Sequence, residues 1–171
     1  IDGSVALAIE ERSSNGIGEV WINTDPWGSG TFTQTAAVPG AGETWGVARW
    51  TNASAATVLL TMQAGTDFIR RSTNGGSSWS SATLTDSDDS AFTAQDAAGL
   101  DRGGRMFAVT EDSNKVWCFV PNIAEADGGG LWYSANAGSS FKRIWKKRFT
   151  GNTTKRWAGR FAQDSLDETI L

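Results

Sequence analysis

Four side chains have the type and setting to do chemistry: Asp96, Asp164, Trp27 and Trp45. The two aspartates close the similar strings Phe92-Thr93-Ala94-Gln95-Asp96 and Phe161-Ala162-Gln163-Asp164. Cleaving a glycosidic bond with inversion needs one carboxylic acid and one carboxylate about 6.5–9.5 Å apart, and these two are the candidates for that pair. Their equivalence has a plainer meaning too, because a residue that recurs from unit to unit commonly braces a loop. Trp27 and Trp45 stand in Gly-flanked, loop-like stretches. There an indole offers a flat apolar face and one N–H donor, which suits the C–H face of a sugar ring and equally suits packing between sheets. Trp21, Trp79, Trp117 and Trp132 are expected in the core, and Tyr133, the only tyrosine, is expected to be structural.

What is missing narrows the chemistry. The chain has no His, the residue most used as a general base and as a metal ligand. Its single cysteine, Cys118, lies in the apolar run Val116-Trp117-Cys118-Phe119-Val120 and is read as a small buried hydrophobe, with no internal disulfide possible. No metal and no cofactor is expected. The Asp86-Ser87-Asp88-Asp89 cluster lacks an EF-hand pattern and is expected to be a solvated loop.

Charge is unevenly spread. The net charge is −4, yet eight of the fifteen Lys and Arg residues fall between Lys142 and Arg160, where there is no acid. Trp145, Phe149 and Trp157 interleave with them, which raises a polyanion surface as one reading. The other, preferred here, is that these cations guard the open edge of an outer strand against sheet-to-sheet aggregation, so nucleic acid is not an expected partner. Apolar runs such as Val58-Leu59-Leu60 are far too short for a membrane-spanning helix. Richness in Gly, Ser, Thr and Trp fits an extracellular or particle-surface setting, and the sequons at Asn52 and Asn152 matter only in a eukaryotic secretory context.

The elements that must hold these residues are strands. The 171 residues carry 39% hydrophobic and 20% charged side chains, enough for a packed core and unlike a disordered or coiled-coil chain. Val5–Ile9, Glu19–Ile22, Thr57–Met62, Asp67–Arg71, Met106–Thr110 and Val116–Val120 are short, β-branched or aromatic, and bounded by Gly, Asn, Asp or Ser. No long window keeps a helical period. A repeat organises them: Ser72-Thr73-Asn74-Gly75-Gly76-Ser77-Ser78-Trp79 returns 62 residues later as Ser134-Ala135-Asn136-Ala137-Gly138-Ser139-Ser140-Phe141, with a looser copy at Asn23–Phe32. Val47–Asn52 is set in register with Phe92–Asp96 and Phe161–Asp164, each followed by an apolar strand. Units of this size with about four strands each suggest propeller blades.

The repeated string reads as a hairpin lock. Asn at its third place can bind backbone groups two residues on, Gly at its fifth permits positive φ, and the final aromatic ring opens the next strand. The string resembles the Asp-box, or bacterial neuraminidase repeat, Ser-x-Asp-x-Gly-x-Thr-Trp or Phe. Asn74 and Asn136 stand where that family has Asp, which keeps the acceptor oxygen and loses the charge. The Phe161–Asp167 stretch is similar to the blade-opening strand of xyloglucanase-type, sortilin-type and photosystem-assembly-factor propellers. The resemblance implies an all-β propeller of four-stranded antiparallel blades in which the box joins the third and fourth strands and is structural. The box residues would be Ser72, Asn74, Gly76 and Trp79; Ser134, Asn136, Gly138 and Phe141; and, in the looser copy, Asp25, Gly28 and Phe32.

About three blades are expected, near residues 1–40, 45–86 and 90–150, with the start of another at 156–171. A propeller ring normally closes with four or more, so further blades on a longer chain, or further copies, are expected to complete it. Sialidases of this family use an arginine triad and a tyrosine nucleophile, a constellation that Tyr133 does not fit. No stretch matches the segments that hold the catalytic aspartates of xyloglucanases. The first expected role is therefore a carbohydrate-related module, glycoside hydrolase-like or glycan-binding. The second is a non-catalytic structural or protein-interaction module of a viral or cell-surface fibre, or of a receptor.

Overall fold

The computed structural model of the chain describes residues 6–10, 19–25, 30–38, 44–54, 56–63, 69–92, 106–109, 112–120 and 130–145. Among these there is no helix, and all regular structure is β. Strands β1 (Ala6–Glu10), β2 (Glu19–Asn23) and β3 (Thr33–Gln34) form an antiparallel sheet. A second antiparallel meander follows in β4 (Thr44–Thr51), β5 (Thr57–Gln63), β6 (Ile69–Ser72) and β7 (Ser80–Ser81). The chain then crosses: β8 (Thr83–Thr85) leaves the second sheet and becomes the outer edge of the third. That sheet is the meander β9 (Met106–Val109), β10 (Val116–Val120), β11 (Gly130–Ser134) and β12 (Ser140–Trp145), with β8 lying parallel to β12. The first strands of the three sheets are neighbours, β1 against β4 and β4 against β9.

Side-chain alternation decides how the sheets stack. In β10, Val116, Cys118 and Val120 are buried while Trp117 and Phe119 are half-buried; in β11, Trp132 and Ser134 are buried while Leu131 and Tyr133 are half-buried. Successive residues point to opposite faces, so one face of the third sheet meets the second sheet. There Cys118, Trp132 and Phe141 pack with Leu60 and Ile69. The opposite face carries Trp117 and Tyr133, cross-strand partners whose rings lie 4.6 Å apart. Leu59 points the other way from Leu60 and joins Val20 and Val38 under the first sheet. The second sheet thus has core on both faces, which is why Val58-Leu59-Leu60 is continuously apolar where a half-exposed strand would alternate.

Three expectations need correction. Counted from the locks that follow β6 and β11, β4 corresponds to β9 and β5 to β10, so pairing Val47–Asn52 with Phe92–Asp96 was one strand out of register. Phe92 itself is not in a strand; its ring stands edge-on to Trp132 at 5.2 Å and packs against the core, while Thr93–Asp96 lie outside the described residues. Trp45 is not in a loop but in β4, opposite Met62, where the ladder bulges beside Gly46. The edge of β12 at Ser140–Lys142 is not open, because β8 pairs with it, and the side chain of Arg143 is fully buried.

Candidate functional site

Both locks have the same geometry. In the first, the Ser72 hydroxyl donates to Asn74 Oδ1 (2.9 Å) and accepts from the amides of Asn74 (3.3 Å) and Gly76 (2.9 Å). Asn74 Oδ1 also accepts from the amide of Ser78, and Asn74 Nδ2 donates to Ser78 Oγ, both at 2.9 Å. The second repeats this bond for bond with Ser134, Asn136, Gly138 and Ser140. Each lock joins the third strand of its meander to the fourth. Each also seats on the preceding sheet: Gly76 O accepts from Ala36 N and Trp79 Nε1 donates to Ala36 O, while Ala137 O accepts from Arg71 Nε.

These bonds fix what substitution should do. Asn74→Ala removes an acceptor of two hydrogen bonds and a donor of one, and is expected to destabilise the fold by about 1–2 kcal/mol, since the lock is partly wet. Asn74→Asp keeps the acceptor and lets the Ser78 hydroxyl turn round and donate, so it should stay within about 0.5 kcal/mol of wild type at neutral pH. Urea denaturation of the two variants checks this. Equal losses would show that the amide donor, not the acceptor, holds the turn.

The looser first copy is built differently. Asn23, buried at the end of β2, accepts from the amide of Asp25 (2.8 Å) and donates to Gly30 O (2.9 Å), so it supplies the side-chain bonds that close this turn. Asp25 is exposed, and Phe32 keeps 46% of its surface in solvent where Phe141 keeps 1%. Phe32 thus does not take the buried place that Phe141 occupies, and the repeat leading to it is two residues longer. Gly28 and Trp27, like Asp96 and Asp164, lie outside the described residues, as does the side chain of Trp45.

Acidic and basic clusters that looked independent in the sequence meet in space. Arg143 Nε donates to Asp86 Oδ1 at 2.7 Å and Nη2 donates to Asp86 Oδ2, a bidentate pair with Arg143 at 0% and Asp86 at 6% exposure. The guanidinium lies 5.4 Å from the Trp132 ring centre and 5.7 Å from that of Phe92. Lys142 pairs with Asp89 at 2.6 Å in solvent. The expected solvated loop is therefore wrong for Asp86, and edge protection is wrong for Arg143: burial without a partner would be prohibitive for either ion, so each explains the other. Asp88 stays outside, its carboxyl held below the usual range by the Ser90 hydroxyl and amide.

Between the first sheet and the first lock lies an open groove of about 430 Å³, within the usual size of small-ligand sites. The segment around β3 gives Thr31, Thr33 and Thr35, the start of β5 gives Thr57, the lock gives Ser77, and β4 gives Arg49. Among the described lining residues there is no carboxylate and no aromatic ring. The wall is drawn from five separate stretches of chain, Ile22 and Thr24 at the end of β2 included, which is why no local motif announced it. Its described residues offer hydroxyl donors and acceptors, the Gln34 amide and one guanidinium, and include no acid–base pair. Among the described residues no three His, Cys, Asp or Glu side chains gather as a metal site, and no helix is long and apolar enough to cross a membrane.

Compared with known protein families, with curated proteins and with solved structures, the chain matches none.

Proposed function

We propose that the three sheets are successive blades of an Asp-box β-propeller and that the chain is a carbohydrate-binding module of that scaffold. Two features support the scaffold: the locks recur at the same strand junction, and the first strands of the three sheets are neighbours, as inner strands of adjacent blades would be. The observation that carries the binding role is the groove. Its hydroxyl-rich wall matches the donor and acceptor surface of a saccharide, and the absence of carboxylates from its described lining favours binding over hydrolysis there.

An oligosaccharide array followed by calorimetric titration tests this. Wild type is expected to bind at least one saccharide class, and the double variant Thr35→Val and Thr57→Val to lose about tenfold or more in affinity, because each valine leaves polar ligand atoms unpaired. A blank array together with a tight protein partner would replace this reading with the interaction module. That second reading has its own observation: Ile144 and Trp145, adjacent on β12, are 45% and 47% exposed.

A further inference from the structure

We propose that the groove selects an anionic saccharide, with Arg49 gripping a carboxylate or sulfate oxyanion. This rests on the carbohydrate-binding reading and narrows its ligand. On β4, Val47 packs toward the first sheet with Val20, Val38 and Leu59. Arg49, two residues on, shares that face by strand alternation, and lies where the wall changes from core to groove. It is half-buried, which strips part of its water and fixes its direction.

Every other arginine or lysine among the described residues has a protein partner. Arg143 is paired with Asp86, Lys142 with Asp89 and Lys115 with Asp112, while Arg71 holds Ala137 O and Arg70 binds Ser81. The side chain of Arg49 alone among them makes no hydrogen bond or ion pair, its backbone being taken up in the β4–β5 ladder. A guanidinium presents its donors in a planar fork that matches carboxylate and sulfate oxygens two at a time. The other described lining residues are uncharged, mostly threonine and serine hydroxyls with the Gln34 amide and the apolar Ile22 and Ala36, and no described lining ring is available for a sugar to stack on. Charge-assisted bonding at Arg49 is thus the strongest interaction the site can offer, and hydroxyls around it fit the neutral remainder of a sugar chain.

Calorimetry with three probes decides the matter: a uronate oligosaccharide, a sulfated oligosaccharide and a neutral oligosaccharide of equal length, each in about 50 mM and 300 mM NaCl. Wild type should bind one of the acidic probes at least about tenfold more tightly than the neutral one, less so in high salt. Whichever acidic probe wins identifies the oxyanion. Arg49→Gln should bring acidic affinity down to about the neutral level while the unfolding midpoint stays put, and Arg49→Lys should retain an intermediate preference. If the acidic and neutral probes bind alike, or Arg49→Gln leaves their ratio unchanged, the anion assignment falls and the carbohydrate reading stands. If no oligosaccharide binds, both fall. Inorganic sulfate binding as tightly as the sulfated oligosaccharide would also overturn the proposal, since the sugar would then contribute nothing.

Discussion

Arg143→Ala is expected to destabilise the protein by about 3–5 kcal/mol, because it leaves the Asp86 carboxylate buried with its principal counter-charge gone. The reciprocal Asp86→Ala should be comparably harmful, since it takes the bidentate carboxylate from a guanidinium that is fully enclosed beside Trp132 and Phe92. Removing both partners should be far milder than the two losses added together. An apolar pair of similar volume, Asp86→Leu with Arg143→Met, should restore most of the stability or exceed it, since neither charge then needs desolvating. Urea unfolding of the wild type, the two single alanine variants and the double alanine variant gives the coupling energy directly. Additive losses would mean that the bidentate contact is incidental to folding. The pair also ties the loop after β8 to β12, so the single variants should expose the edge that β8 covers and raise hydrogen exchange along Ser140–Lys142 ahead of global unfolding.

The contrast between this pair and the locks shows what could be read from the chain alone. A lock closes over eight consecutive residues, and every bond it makes internally spans four positions or fewer, so residue type and spacing disclose it. Asp86 and Arg143 are 57 residues apart, and their clusters read as surface because nothing local brings them together. Strand identity was legible from β-branching and flanking turn residues. Strand equivalence was not, because β4 and β9 share no sequence pattern and Phe92 imitates a strand opener while serving the core. The groove was invisible for the same reason as the ion pair. Thr35, Arg49, Thr57 and Ser77 are unremarkable singly, and only the seating of the lock on the first sheet makes them one wall.

That seating leads to the second large effect. In the two locks, Gly75 and Ala137 are equivalent, as are Gly76 and Gly138, and all four have positive φ. Ala137 at φ 53° shows that a side chain is tolerated at the first of these places, and a Cβ on Gly75 would meet nothing within 4 Å. Gly75→Ala should therefore change stability by less than about 1 kcal/mol, the left-handed strain being offset by a less free unfolded chain. The second place differs because it faces the preceding sheet. A Cβ on Gly76 would stand 2.5 Å from Thr35 Cγ2, and one on Gly138 would stand 2.8 and 2.9 Å from the methyls of Leu60. Leu60 is fully buried in the main core, so it cannot swing away. Gly138→Ala is expected to destabilise by about 2–4 kcal/mol, combining unfavourable φ with overpacking. Trimming the obstruction tests the cause: with Leu60→Ala also present, the loss should be at least about 1 kcal/mol smaller than the sum of the single losses. If Gly75→Ala proved as harmful as Gly138→Ala, backbone strain alone would set the requirement, and the locks would be hairpin turns without a part in binding one sheet to the next.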